Sequence, residues 1–155
     1  YGSNIEVEDT GVVNLEFHNG AIGVVEITTA ARPDDYESSL SVLGSKGIAM
    51  LGGWATDKLL TYSPDNTQEE LCSESFTSAY GHGHENIYKG VLEKIKGTGQ
   101  EAVTLKDALL SIKFLHAIYM SDEQKKWIDL DTDEESIRLG IKDEKLLNLY
   151  KTHEI

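Results

Sequence analysis

Asp9-Thr10-Gly11-Val12-Val13-Asn14-Leu15-Glu16-Phe17-His18-Asn19-Gly20-Ala21-Ile22-Gly23 is the stretch that decides the fold. Val13, Leu15 and Phe17 alternate with Asn14, Glu16 and His18, the period-2 pattern of a strand with one face toward a core. Asn19-Gly20 follows. This dipeptide predicts a two-residue type I′ hairpin turn, because both residues tolerate the positive φ such a turn needs. The return strand runs from Ala21 to about Thr29. Its apolar residues fall on both faces: Ile22 and Val24 lie with Glu26, while Val25 and Ile27 lie with Gly23. A strand apolar on both faces is covered twice, or its open face meets another subunit.

Beyond the hairpin, Ala30-Ala31-Arg32-Pro33-Asp34-Asp35 breaks the pattern, since Pro33 cannot donate to a ladder. Strands resume at Ser39–Leu43 and Ile48–Leu51, joined by the turn Gly44-Ser45-Lys46-Gly47, and again at Lys58–Tyr62 and Leu71–Thr77. Short links between sequential strands predict antiparallel neighbours. From His84 the period changes to that of a helix, with Ile87, Val91 and Ile95 on one stripe beside Tyr88 and Leu92. Gly97 and Gly99 stop it. Thr104 and Asp107 then form a capping-box pair opening a second helix that ends near Ser121. Trp127–Leu130 reads as a last short strand, 131–136 as an acidic loop, and the tail from Asp143 through Leu146, Leu147 and Tyr150 as a final helix. Strands followed by helices predict one α+β domain over residues 1–155: an open, mostly antiparallel sheet with helices packed on one face. The other face would expose Val12, Ile22 and Val24, a patch best covered by a second copy, so a homo-oligomer through the open sheet face is expected.

Charge narrows the function. A net charge of −13, with 14 basic residues and no basic run, argues against nucleic acid or an anionic membrane as a partner. No apolar run approaches the ~20 residues of a membrane span, and no signal-peptide pattern opens the chain. The single cysteine, Cys72, sits in the predicted strand at 71–77 and has neither a disulfide partner nor zinc-ligand spacing. A reducing, cytoplasmic setting is the default expectation. Tyr1 is not an initiator methionine and a strand pattern starts within about ten residues, so a chain cut from something longer is expected.

Tyr80-Gly81-His82-Gly83-His84 stands where strands give way to helices. Imidazoles titrate near neutral pH and suit general acid–base work, and a helix N-terminus beside them attracts an anionic group. The alternative is a glycine-shaped turn whose histidines face solvent. His82 and His84 could also hold a metal, but two ligands are too few and His18, His116 and His153 are scattered, so no metal site is expected. Arg32 is a further candidate, because a guanidinium fork binds carboxylate or phosphate; a salt bridge to Asp34, Asp35 or Glu37 would occupy it equally well. Gly44-Ser45-Lys46-Gly47 joins two strands and matches no nucleotide-binding fingerprint. No nucleophile–base set can be assigned by sequence order.

The hairpin from Asp9 to Gly23 resembles the strand pair of the C-terminal domain in the Gfo/Idh/MocA oxidoreductases. Leu40-Ser41-Val42-Leu43-Gly44-Ser45-Lys46-Gly47 is similar to the family's glycine-turn strands, and the helices His84–Gly97 and Ala108–Ser121 to its helix pair. The resemblance covers roughly residues 8–130. Tyr80–His84 and Ser136-Ile137-Arg138-Leu139-Gly140 look most like members acting on nucleotide-linked amino sugars, such as the UDP-N-acetylglucosaminuronate 3-dehydrogenase group. The resemblance implies a dihydrodipicolinate reductase-like C-terminal domain and a parent enzyme moving a hydride between NAD or NADP and a sugar or nucleotide-sugar carbon. It also implies a Rossmann domain that would precede Tyr1. The present chain would then supply substrate binding and oligomerisation, with substrate contacts from His82, His84, Tyr80 and Arg32. It would hold no catalytic residue, bind no cofactor and be inactive alone. A stand-alone binding or scaffolding module is the competing expectation.

Overall fold

The computed structural model describes residues 6–30, 37–78, 80–99 and 103–145. Arg32 and the expected tail helix through Leu146, Leu147 and Tyr150 lie outside the described residues. The chain divides into two compact units, Tyr1–Ala30 with Val103–Ile155, and Ala31–Ala102. None of the described helices is long and apolar enough to cross a membrane.

The first unit is built on the hairpin of β1 (Thr10–Glu16) and β2 (Ile22–Thr28), antiparallel with Val13 opposite Val25 and Leu15 opposite Gly23. Its turn differs from the expected type I′ pair. The Gly20 N–H donates to the Phe17 carbonyl at 2.8 Å and the Phe17 N–H to the Ala21 carbonyl at 2.9 Å, enclosing three loop residues. Gly20 alone takes the left-handed conformation, at φ +84°, and Asn19 keeps a negative φ while its side chain accepts the Ala21 N–H at 3.0 Å. This is a type I turn closed by a glycine bulge. Register explains the choice. A two-residue loop would slide Glu26 opposite Val13, whereas the observed register pairs Glu26 with Val12. Val13, Leu15 and Val25 are consequently half-buried, while Val12, Ile22 and Val24 remain 63%, 85% and 66% exposed on the open face.

The long helix of this unit, α3 (Leu105–Gln124), starts as the sequence predicts and runs about one turn further. The Asp107 N–H donates to Thr104 Oγ1 at 3.2 Å, and the Thr104 N–H donates back to Asp107 Oδ2 at 3.0 Å. Both orphan donors are thereby satisfied. Lys125 ends the helix in a left-handed conformation, φ +52°. Ala117 and Met120, three positions apart and so on one helix face, are the buried apolar side chains among the described residues.

In the second unit β3 (Leu40–Gly44), β4 (Gly47–Gly52) and β5 (Lys58–Tyr62) form a three-stranded antiparallel sheet in that order, followed by α1 (Gln68–Leu71) and α2 (Gly83–Ile95). The α+β, antiparallel class read from the sequence is the class observed. Two predicted strands do not form. Over 71–77 the chain is a helix end followed by irregular backbone: the Ser73 hydroxyl accepts the Leu59 N–H at 3.0 Å and donates to the Glu69 carbonyl at 2.5 Å, taking ladder-like bonds through a side chain. Cys72 is the exposed C-cap of α1, not a strand residue. Over 127–130 the Asp129 carboxylate accepts the Asp131 N–H at 3.0 Å, turning the backbone where a strand would continue.

Candidate functional site

Gly81 sets the geometry of the tyrosine–histidine stretch. Its φ of +52° is left-handed, and a Cβ there would crowd the Phe76 ring at 3.0 Å, so backbone and packing both favour glycine. The tight turn delivers His82 to the N-cap of α2, where its carbonyl accepts the Asn86 N–H at 3.2 Å. Each imidazole then meets one aromatic ring edge-on: His82 meets Phe76 with centroids 5.4 Å apart, and His84 meets Tyr80 at 5.0 Å. Tyr80, His82 and His84 are all exposed, Tyr80 at 72%. Three of the four sequence-based candidates therefore share one rim at a helix N-terminus, and the fourth, Arg32, lies outside the described residues. Phe76, which orients His82, was hidden in a predicted strand. The rim can offer imidazole nitrogens and a phenol to a polar ligand, and the helix dipole favours an anion there, although Glu85 in the first turn works against it. The turn Gly44–Gly47 joins β3 to β4 with no helix after it, and so offers no helix N-terminus to a pyrophosphate.

The first unit contains an open cleft of about 730 Å³ that sequence patterns did not signal. It lies along β1 and the end of α3, walled by Tyr119, Asp122, Lys125, Trp127 and Arg138. Tyr119 donates its hydroxyl to the Glu8 carboxylate. Asp122 accepts from Lys125 Nζ and from Arg138 Nη1, each at 2.5 Å. Those two bonds, Lys125 first, hold its carboxyl below the usual carboxylate range, and the Asp122 carboxylate in turn raises the Arg138 guanidinium. Behind them Glu123 accepts the Ser136 hydroxyl and, at 3.1 Å, the Arg138 N–H, and the Ser136 N–H donates to His116 Nδ1 at 3.1 Å. The segment Ser136–Gly140 is thus tied to α3, and His116 is a tethering acceptor.

A profile of the family described as "Oxidoreductase family, C-terminal alpha/beta domain", of the Gfo/Idh/MocA type, matches residues 2–130. The chain belongs to the Gfo/Idh/MocA oxidoreductases. Two similar solved structures are WlbA dehydrogenases, each described as a complex with NADH and UDP-GlcNAcA. The one from Bordetella pertussis is 31% identical, with a TM-score of 0.67 over 79% of this chain. The one from Chromobacterium violaceum is 30% identical, with a TM-score of 0.68 over 83% of this chain. The chain spans 37% of the length of each. No curated protein matches it in sequence.

In this Gfo/Idh/MocA domain the Asp122 cluster makes a pH-dependent tie. A carboxyl whose pKa falls on folding contributes stability above its unfolded pKa, near 4, and loses it as pH falls through the folded value. The Asp122 and Arg138 side chains are 55% and 37% exposed, so water screens the pairing. Asp122→Asn is expected to lower stability by at most about 1 kcal/mol at neutral pH. The gap should close below about pH 4 as wild-type Asp122 protonates. Thermal unfolding of both proteins across pH checks this; a gap that persists undiminished at about pH 2.5 would contradict the assignment.

Proposed function

We propose that this chain is the substrate-binding and assembly domain of an NAD- or NADP-dependent dehydrogenase acting on a nucleotide-linked amino sugar. The observation that carries the reading is its 31% and 30% identity to two dehydrogenases described in complex with NADH and UDP-GlcNAcA. Such an enzyme passes a hydride between the nicotinamide and a sugar carbon. Tyr80, His82 and His84 donate and accept hydrogen bonds at the rim of α2, recognising the hydroxyls or anionic handle of the sugar. Arg32, with its planar fork, suits a carboxylate or diphosphate. The chain itself holds no catalytic residue and no cofactor, which a Rossmann domain carries. The lone Cys72 suits a reducing, cytoplasmic compartment.

Titration of the isotope-labelled chain with UDP-GlcNAcA, followed by NMR, tests the site. The His82 and His84 imidazole resonances should shift saturably and those of Tyr80 with them. Saturable shifts confined to the cleft along β1, with the rim unmoved, would overturn the assignment of these residues.

The open face of the hairpin supports self-association in this reading. Val12, Ile22 and Val24 are apolar and exposed on one face, opposite Glu26, Glu16 and Asn14 respectively, and burying that face against a second copy removes them from water. Sedimentation of the native chain should give a dimer or larger species, and Ile22→Asp a monomer. A native chain that sediments as a monomer at high concentration would contradict it.

A further inference from the structure

The hairpin turn and the loop after α3 bring together three metal-capable side chains that no linear spacing connects. His18, Asp129 and Asp131 each present one ligand atom, and these atoms all lie within 4.8 Å of one another. His82 and His84, two residues apart in sequence, belong to no such group among the described residues. We propose that His18, Asp129 and Asp131 form a binding site for a borderline divalent cation such as Mn²⁺ or Zn²⁺.

The argument rests on placement and donor chemistry. His18 is the first residue of the three-residue turn, held by the Gly20 N–H to Phe17 carbonyl bond. Asp129 and Asp131 sit on a turn fixed by the Asp131 N–H to Asp129 Oδ1 bond at 3.0 Å and the Thr132 N–H to Asp129 carbonyl bond at 3.3 Å. The two backbone turns therefore bring the three residues together before any ion arrives. Among the described residues the His18 imidazole and the Asp131 carboxylate make no ion pair or hydrogen bond of their own, with each other or elsewhere. Asp129 commits one oxygen to its turn and keeps the other. Ligand bonds of ~2.0–2.2 Å place first-shell atoms about 3–4 Å apart, so small rotations of three exposed side chains would close the set. One imidazole nitrogen with two carboxylate oxygens suits Zn²⁺ or Mn²⁺ better than Ca²⁺ or Mg²⁺, which prefer oxygen alone. Water would complete the shell. A bound cation would cross-link the β1–β2 turn to the segment following α3 and stabilise the unit by mass action. It also offsets the mutual repulsion of two carboxylates two residues apart.

The net charge of −13 attracts cations everywhere on the surface, so the test must separate a site from an ion atmosphere. The untagged chain, stripped with chelator, is titrated with Mn²⁺ while bound metal is counted by electron paramagnetic resonance and its position read from NMR line broadening. One bound Mn²⁺ per chain is expected, with broadening centred on His18, Asp129 and Asp131 and relieved by Zn²⁺. Asp131→Asn and His18→Gln should each weaken binding at least about tenfold. Glu134→Gln, an exposed acid in the same loop outside the set, should leave it unchanged. If all three variants weaken binding alike, or if no local broadening appears at millimolar Mn²⁺, the site does not exist.

Discussion

Ala117 and Met120, on one face of α3, are the apolar side chains that the described residues bury, and the segment 136–140 that follows is tied back onto that helix. A domain is marginally stable even with a full core. Local devices add to what the core supplies: the reciprocal Thr104–Asp107 cap, the glycine-closed hairpin, and the Asp122–Arg138 and Glu123–Ser136 ties that hold 136–140 to α3. Other apolar side chains lie outside. Val12, Ile22 and Val24 line the hairpin, and Ile87, Val91 and Ile95 line α2, each at least half exposed. Large exposed apolar patches of that kind mark interaction surfaces, and the self-association proposed above rests on the one along the hairpin.

The parts of the fold legible in the sequence were those set by local chemistry. The alternation of Val13 and Leu15 gave β1, the four-residue recurrence of Ile87, Val91 and Ile95 gave α2, and Thr104 with Asp107 marked the start of α3. Failures came where a second segment or a single side chain decides. Asn19-Gly20 favours a two-residue turn in isolation, but the register that keeps Glu26 off the half-buried face required three. Trp127–Leu130 has strand composition, yet a strand exists only by pairing, and Asp129 bonds the backbone two residues on before pairing can start. Leu71–Thr77 failed for the same reason through Ser73.

The candidate sites divide the same way. Tyr80, His82 and His84 were visible because glycines and histidines cluster at a change of period, and the structure groups them at one helix start with Phe76, whose contact with Gly81 and His82 no pattern announces. The cleft along β1 was invisible, since Glu8, Tyr119, Trp127 and Arg138 become neighbours only when the hairpin and α3 share a unit. His18 looked scattered for the same reason. Family membership was legible because the hairpin, the glycine turn and the helix pair occur in combination, though each alone is weak.

Calorimetric titration of this chain with UDP-GlcNAcA and, separately, with NADH measures the division of labour most directly. Saturable heat with the nucleotide sugar and none with NADH is the predicted result, because in the proposed reading the rim at α2 recognises the sugar and a Rossmann domain carries the cofactor. Saturable binding of NADH without binding of UDP-GlcNAcA would contradict the account.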